Sequence, residues 1–334
     1  MPGFCSWLQT SAGRVPQISA RLKFSDQIGS WRVRWGIGRS SYLVPPGLYA
    51  IGAPGSDAPV IVTANYKMSY DIVRSSLAGR NAWLLILETF GINVWCAAGK
   101  GSFGTAELVY RLEQSGLERL VSHRTLILPI LGAPGVAAHE IAQQSGFKVR
   151  YAAIRATDLP EYLDNDLQTT AAMQKMTFSM RERLVLIPVE LGLSLRTLLP
   201  VFVVLFLAGW LFADVTVGTR VCLALLGAVF AGTVVMPSLL PWLPGPFFAF
   251  KGLLVGLVLN ALFLLQTGLD IGLPARAGSV LALTVVTAYC AMNFTGATPF
   301  TSLSGVRKEV RIALPTMAGA LFSAVLLWSW SLIG

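Results

Sequence analysis

The chain has 334 residues, 54% of them hydrophobic and only 13% charged, which is too apolar for a soluble protein of two domains. Its formal charge is +9, but the basic residues are scattered and no basic stripe interleaves with aromatics. That excludes a nucleic-acid groove, and attraction to an anionic membrane surface accounts for the charge better. Only six of the 26 Lys and Arg and three of the 17 Asp and Glu follow residue 197, so the chain divides into a charged half and a membrane-like half.

Residues 1 to about 30 contain Arg14, Arg21 and Lys23 but no apolar run long enough for a secretory signal, and they read as a loose extension. Pro45-Pro46-Gly47 forces extended or turn backbone in a Gly- and Pro-rich segment that wraps the edge of the neighbouring domain, completing a first region over 1–58. From Pro59 short apolar strands (60–62, 83–87, 125–128, 147–151) alternate with helices (66–77, 105–114, 136–144). This pattern predicts a mostly parallel, doubly wound, Rossmann-like α/β domain over 59–170. Thr105 is the expected N-cap of the second helix, with Glu107 in its first turn and Gly116 past its end.

Residues 171–197 read as an amphipathic linker helix, with Met173, Met176, Met180 and Leu184 on one face, set either along a bilayer surface or against the domain core, and a break or kink at Pro188. Five apolar segments come next, at 198–215, 221–240, 246–267, 275–294 and 312–333, each near the roughly 20 residues that cross a bilayer. They predict an all-α transmembrane domain over 198–334. The links 214–220 and 270–276 each balance one acid and one base. Link 295–311 carries Arg307, Lys308 and Arg311 against Glu309, which places it in the cytoplasm by the positive-inside rule. An odd number of spans then puts the N-terminal domain on the same side.

The cysteines at 5, 96, 222 and 290 form no close pair, so neither a zinc site nor an iron–sulfur cluster is indicated, and any electrons must come from another protein. Cys222 and Cys290 fall in spans, where a thiol serves as a small apolar group; passing a thiophilic metal is the other reading. His139-Glu140 begins like a zinc-protease helix, but Gln143 stands where the second His belongs, and His123 lies in a polar turn.

Cys96 sits after a strand-like run ending in residues 92–95 and before a glycine-rich turn. A thiolate binds soft metals, and turn N–H groups favour the anion; the alternative is a buried Cys used as a small hydrophobe. Thr63, Asn65, Gly132 and Ala133 fall at strand carboxyl ends, where open α/β sheets bind ligands. Residues 99–104 also fit GxGxxG, but the next strand lacks the acidic residue of a dinucleotide site, and Walker A fails because Val94 occupies its first Gly position.

The octapeptide Asn93-Val94-Trp95-Cys96-Ala97-Ala98-Gly99-Lys100 resembles, at every position, the cap-helix signature of the HgcA family, the corrinoid proteins of microbial mercury methylation. The similarity extends to Arg34 through Arg39, Tyr42 through Gly52, Thr63 through Lys67, Gly132 through Gly135 and Phe294 through Glu309. The resemblance implies a cobalamin-type corrinoid on the 59–170 domain, with Cys96 as cobalt ligand. Asn93, Val94, Trp95, Ala97, Ala98, Gly99, Lys100 and Gly101 would line the cofactor together with Thr63, Asn65, Gly132 and Ala133. It also implies a methyl-tetrahydrofolate-type donor, Hg(II) as methyl acceptor giving methylmercury, and a ferredoxin-like 4Fe-4S reductase as partner. In that setting Asn93 holds the turn by side-chain hydrogen bonds, and Gly99 and Gly101 permit close approach of the macrocycle. Two other readings stay open: a membrane-anchored corrinoid methyl carrier with a non-mercury acceptor, and a non-catalytic nucleotide-binding module on a membrane anchor.

Overall fold

A computed structural model describes residues 1–266 and 271–333. The chain forms two compact units, one of residues 1–33 and 37–176, the other of 34–36 and 177–334. In the first, the elements run β1 (Phe4–Thr10), β2 (Gly13–Ile18), α1 (Phe24–Arg34), β3 (Gly47–Ile51), β4 (Val60–Ala64), α2 (Lys67–Ser76), β5 (Ala82–Leu87), α3 (Val94–Lys100), α4 (Thr105–Ser115), β6 (Thr125–Leu128), α5 (Ala138–Ser145), β7 (Lys148–Tyr151) and α6 (Leu159–Asp164).

The seven strands make one mixed sheet in the order β1-β2-β3-β5-β4-β6-β7. Its parallel part is β5-β4-β6-β7, in register Val60 with Trp83 and with Leu126. Every residue of β4 and β5 is buried, as expected of parallel strands covered on both faces. Alternate side chains separate the two faces. Val60, Val62, Leu85 and Leu126 pack with Ala97, Leu108 and Ile141 of α3, α4 and α5, whereas Ile61, Leu84, Ile86 and Ile127 pack with Tyr70 and Tyr162 of α2 and α6. The double winding predicted from the alternation is present, but the sheet is mixed. β3 runs antiparallel to β5, and β1 antiparallel to β2.

The expectation of a loose N-terminus is corrected: β1 and β2 extend the sheet beyond β3. An ionic cluster fastens this segment. Asp26 of α1 accepts from Lys67 Nζ at 2.7 Å and Arg74 Nη2 at 2.8 Å, and Arg74 also holds Asp71 at 2.8 Å and the Ser19 carbonyl at 2.6 Å. Lys67 and Arg74 lie 41 and 48 residues from Asp26, and Arg74 lies 55 from Ser19, so no local sequence pattern announces the cluster.

In the second unit, α7 (Met180–Phe212) is followed by α8 (Val215–Phe230), which continues through a π-helical segment at 231–235 into α9 (Met236–Leu239); then come α10 (Phe248–Gln266), α11 (Leu273–Asn293) and α12 (Leu303–Ile333). Among the described residues five helical segments are long and apolar enough to cross a membrane. Thr267, the expected end of the third segment, and Asp270 in the next link lie outside the described residues.

Three boundaries differ from expectation. The linker helix and the first span are one helix, α7, which begins at a Ser179–Glu182 capping box and runs through Pro188 and Pro200; helices in apolar bundles tolerate proline because neighbouring groups satisfy the freed carbonyl. Met173 belongs instead to the core of the first unit. Asp214 is the N-cap of α8, accepting from the Val217 amide at 3.1 Å, so 214–220 is mostly helix rather than link. α12 starts at Leu303, which puts Arg307, Lys308 and Arg311 on its first turns, and Glu309 is buried there, accepting from the Ala249 amide at 2.7 Å and Thr295 Oγ1 at 3.0 Å. Gly252 and Gly256 of α10 lie against Ala288, Ala291 and Thr284 of α11, close enough that a Cβ on either would collide, the small-residue packing of membrane helices.

Candidate functional site

The site is built outward from the end of β5. After Leu87 the chain enters a loop, 88–93, whose shape is dictated by Asn65 at the carboxyl end of β4. The fully buried Asn65 Oδ1 accepts from Thr89 N (3.1 Å), Thr89 Oγ1 (2.9 Å) and Gly91 N (3.2 Å), while its Nδ2 donates to Glu88 Oε1 at 2.6 Å. Glu88 Oε1 also accepts from Phe90 N at 2.8 Å, and Glu107 of α4 accepts from Glu88 N at 2.7 Å. Phe90 is left exposed with φ 55°, a conformation bulky residues rarely adopt.

Residues 92–95, expected to end a strand, instead lead into α3. Asn93 stands at its N-cap, and its Oδ1 accepts from the Cys96 amide at 2.9 Å, so the side-chain to backbone bond expected of Asn93 is present. Val94, Ala97 and Ala98 face inward and are buried. Gly132 and Gly135 allow this close fit: a Cβ on Gly132 would stand 2.6 Å from the Phe103 ring, and one on Gly135 3.0 Å from Ala98 Cα. Gly101 closes the helix with φ 84°, the left-handed C-cap that favours glycine.

The outward face carries Cys96, Gly99 and Lys100, all exposed, with Trp95 half-buried beside them. Cys96 is therefore not a small core hydrophobe. Gly99 sits inside the helix, where glycine costs up to about 1 kcal/mol relative to alanine, yet no protein atom lies within 4 Å of where its Cβ would be. Protein packing does not explain this glycine, and the face above it is open. The Ser102 hydroxyl just beyond is buried without a hydrogen-bond partner. An exposed soft donor, a bare backbone patch beside it and an unpaired buried hydroxyl fit a large planar metal cofactor seated on α3.

Behind α3 lies a largely apolar cleft of about 400 Å³, lined by Ile61 to Thr63, Ile127 to Pro129, α2 residues including Ile72, the Asn93–Trp95 turn and 153–157. The chain passes from β4 to β5 on one side and from β6 to β7 on the other, so the cleft opens at the switch point where doubly wound sheets bind ligands. Thr63 lines it, whereas Cys96 does not.

The residues expected to converge do so unequally. Thr63 and the Asn93–Trp95 turn share the cleft, and Ala133 is exposed. Gly132 is buried under Phe103, and Asn65 has its side chain spent inside the protein, so both support the site rather than line it. Thr105 is not an N-cap; Gly104 is, and Thr105 Oγ1 accepts from Ala137 N at 2.9 Å. Glu88, Phe90 and Ser102 carried no sequence signal beyond proximity to the octapeptide. The GxGxxG at 99–104 begins twelve residues after β5 ends and spans the α3 to α4 turn, which is not the strand–turn–helix of a dinucleotide site. His123 is structural, with Nε2 3.0 Å from the Ala58 carbonyl oxygen, and His139 is exposed. Cys5 is exposed, Cys222 half-buried and Cys290 buried.

Residues 38–158, which hold the cleft and α3, match the family described as CO dehydrogenase/acetyl-CoA synthase delta subunit. Similar proteins include the acetyl-CoA decarbonylase/synthase complex subunit gamma of Methanopyrus kandleri, 31% identical over 125 residues, which are 37% of this chain and 27% of that protein. The same subunit of Archaeoglobus fulgidus is 37% identical over 113 residues, 33% of this chain and 24% of the relative. The chain thus spans about a quarter of the length of these curated relatives. The matched family is a corrinoid-binding one, so the cofactor expected from the sequence is the cofactor of the family that residues 38–158 resemble.

Proposed function

We propose that this chain is a membrane-anchored, corrinoid-dependent methyltransferase in which Cys96 is the protein ligand to cobalt. The observation that carries the reading is the outward face of α3, an exposed thiol next to a helical glycine with open space above it. A corrinoid supplies a metal-bound methyl group that can be passed to an acceptor. Cys96 contributes a soft anionic donor, the kind of axial ligand by which a protein tunes such a metal. Asn93 fixes the turn bearing that sulfur, and Val94, Ala97 and Ala98 key the helix to the core. Gly99 and Gly101 leave the face bare, Trp95 and Thr63 line the adjoining cleft, and Lys100 offers a cation to a polar group of the cofactor or to a partner. Ala133, exposed at the carboxyl end of the sheet, would border the same cofactor.

The proposed acceptor is Hg(II), giving methylmercury, with a methyl-tetrahydrofolate-type donor and a ferredoxin-like 4Fe-4S reductase as partner. This part rests on the octapeptide at 93–100. The five apolar helices support a multi-pass position in the cytoplasmic membrane, and the basic first turns of α12 favour placing the α/β unit in the cytoplasm. A second reading, a membrane-anchored methyl carrier with a different acceptor, is favoured over mercury by the matches to subunits of an acetyl-CoA decarbonylase/synthase complex. The nucleotide-binding alternative has lost its main support, because GxGxxG does not follow a strand.

The test is reconstitution of the full chain and of Cys96→Ala with a methylcorrinoid, recording the visible spectrum and the rate of methylmercury formation from Hg(II). Binding by both, with an altered axial-ligand spectrum and transfer only for the native chain, is expected. Binding without transfer by either, even with reductant, would favour the other acceptor. Absence of corrinoid binding by a folded chain would overturn both readings.

A further inference from the structure

Helix α1 is pinned to the first unit by one face only. Asp26, Gly29, Ser30 and Val33 point inward: Asp26 is held by Lys67 and Arg74, Gly29 abuts the Tyr42 ring, and Val33 is buried. The opposite face presents Phe24 (71% exposed), Ile28 (41%) and Trp31 (64%). The spacing of 4 and 3 residues lines Phe24, Ile28 and Trp31 up in one stripe. A contiguous apolar stripe of this kind, built from aromatic and aliphatic side chains, marks a surface that is covered in use.

The stripe is flanked by Arg21, Lys23, Arg32 and Arg39, all exposed. From Arg14 to Ser56 the only acidic residue is Asp26, and its carboxylate is already paired inside. The segment that carries the stripe thus offers exposed cations and no unpaired carboxylate of its own. Trp and Phe beside Arg and Lys is the composition of helices that lie in the headgroup layer of an anionic bilayer, where the rings reach the acyl boundary and the cations meet lipid phosphates.

Chain continuity points to the same partner. Residues 34–36, the last residue of α1 and the two that follow it, pack within the helical unit against α7: a Cβ on Gly192 would lie 3.1 Å from the Trp35 carbonyl oxygen, and one on Gly36 3.9 Å from Val189. Arg196 is the last charged residue of α7, only four residues beyond Gly192, or about 6 Å along the axis. Residues 34–36, which continue the chain from α1, thus lie within that unit beside the part of α7 where charged residues give way to an uninterrupted apolar run. We propose that the Phe24/Ile28/Trp31 face of α1 is an interfacial anchor that docks onto an anionic lipid surface. The inference rests on reading the five apolar helices as membrane spans and is independent of the cofactor.

The test uses the full chain with its four cysteines replaced by Ser or Ala and shown to be folded, reconstituted in phosphatidylcholine vesicles with and without phosphatidylglycerol. Single cysteines introduced as Ile28→Cys, Val204→Cys on α7 and Glu113→Cys on α4 carry an environment-sensitive fluorophore, and lipids with a nitroxide near the headgroup serve as quencher. Position 28 should show blue-shifted emission and several times the quenching of position 113 in phosphatidylglycerol vesicles. The quenching should fall when Arg21, Lys23 and Arg32 are replaced by Gln. Quenching at 28 no greater than at 113, with 204 protected from aqueous iodide, would overturn the proposal and assign the face to a protein. If 204 were also open to iodide, the membrane reading beneath it would fall as well. Strong quenching at 28 that ignores both lipid charge and the Gln substitutions would overturn the anionic-lipid assignment.

Discussion

The side-chain oxygen of Asn93 accepts the backbone N–H of Cys96 at 2.9 Å, so the residue that begins α3 holds the amide of the residue proposed to bind the metal. Replacing Asn93 by Ala should cost about 1 kcal/mol of local stability, the usual worth of an N-cap, and Asn93→Asp should recover most of it. Hydrogen exchange of the 94–100 amides should accelerate in the Ala variant, and corrinoid affinity should fall with it. Unchanged exchange would mean that packing of Val94, Ala97 and Ala98 alone sets the helix.

Asn65 braces the preceding loop from beneath. Asn65→Leu keeps the approximate volume but leaves the buried Thr89 N–H and a donor at Gly91 without an acceptor, at roughly 1–3 kcal/mol for each group. The α/β unit should unfold at lower urea, and amides 88–93 should lose protection before those of β4 do. Loss confined to corrinoid affinity, with native stability, would instead restore Asn65 to the ligand set.

Gly99 separates stability from binding. Because a Cβ there meets no protein atom, Gly99→Ala should stabilise α3 by roughly 0.5–1 kcal/mol while weakening corrinoid binding several-fold. Gly132→Ala should do the reverse in stability, since its methyl group would strike the Phe103 ring. A Gly99→Ala chain that binds corrinoid as well as the native one would argue that the cofactor does not rest on this face.

The buried cluster of Asp26, Lys67, Asp71 and Arg74 sets a pH window. Burial alone would raise the Asp26 pKa, but hydrogen bonds and charge from Lys67 and Arg74 outweigh it and hold the carboxyl below its ordinary 3.8. Its contribution is therefore complete above that value and is lost as pH falls through the lower folded value. Lys67 is likewise opposed by burial, yet Asp26 and Asp71 raise it above 10.5, so its contribution is complete below 10.5 and is lost as pH rises through the higher folded value. Melting of the first unit against pH should show a plateau between these limits. Arg74→Met, which leaves two buried carboxylates short of a partner, should cost about 3–5 kcal/mol and free the β1–β2 hairpin to exchange.

Much of this protein is legible in sequence order because the relevant physics is local. Uninterrupted apolar runs announce β4, β5 and the five long helices, since only such residues can be buried on every side. The octapeptide was conspicuous only through its resemblance to a cap-helix signature; by its residues alone 92–95 read as the end of a strand, and the helix α3 emerged in the fold. What the linear pattern did not contain was pairing at a distance. The N-terminal hairpin looked loose because its sheet partner and its Arg74 clasp lie tens of residues away. Pro188 looked like a break or kink, yet α7 runs through it, because helices in apolar surroundings tolerate a proline that would end a helix in water. Asn65 looked like a ligand because its position at a strand end is visible in sequence, whereas the loop amides that consume its oxygen arrive only when β4 and β5 pair. The stripe on α1 became readable only once folding had shown which of its faces Asp26 and Val33 occupy. The sequence alone determined which side chains were available at the site. Only tertiary structure decided which of them the protein had already used, because hydrogen bonds and burial are satisfied between segments that the sequence keeps apart.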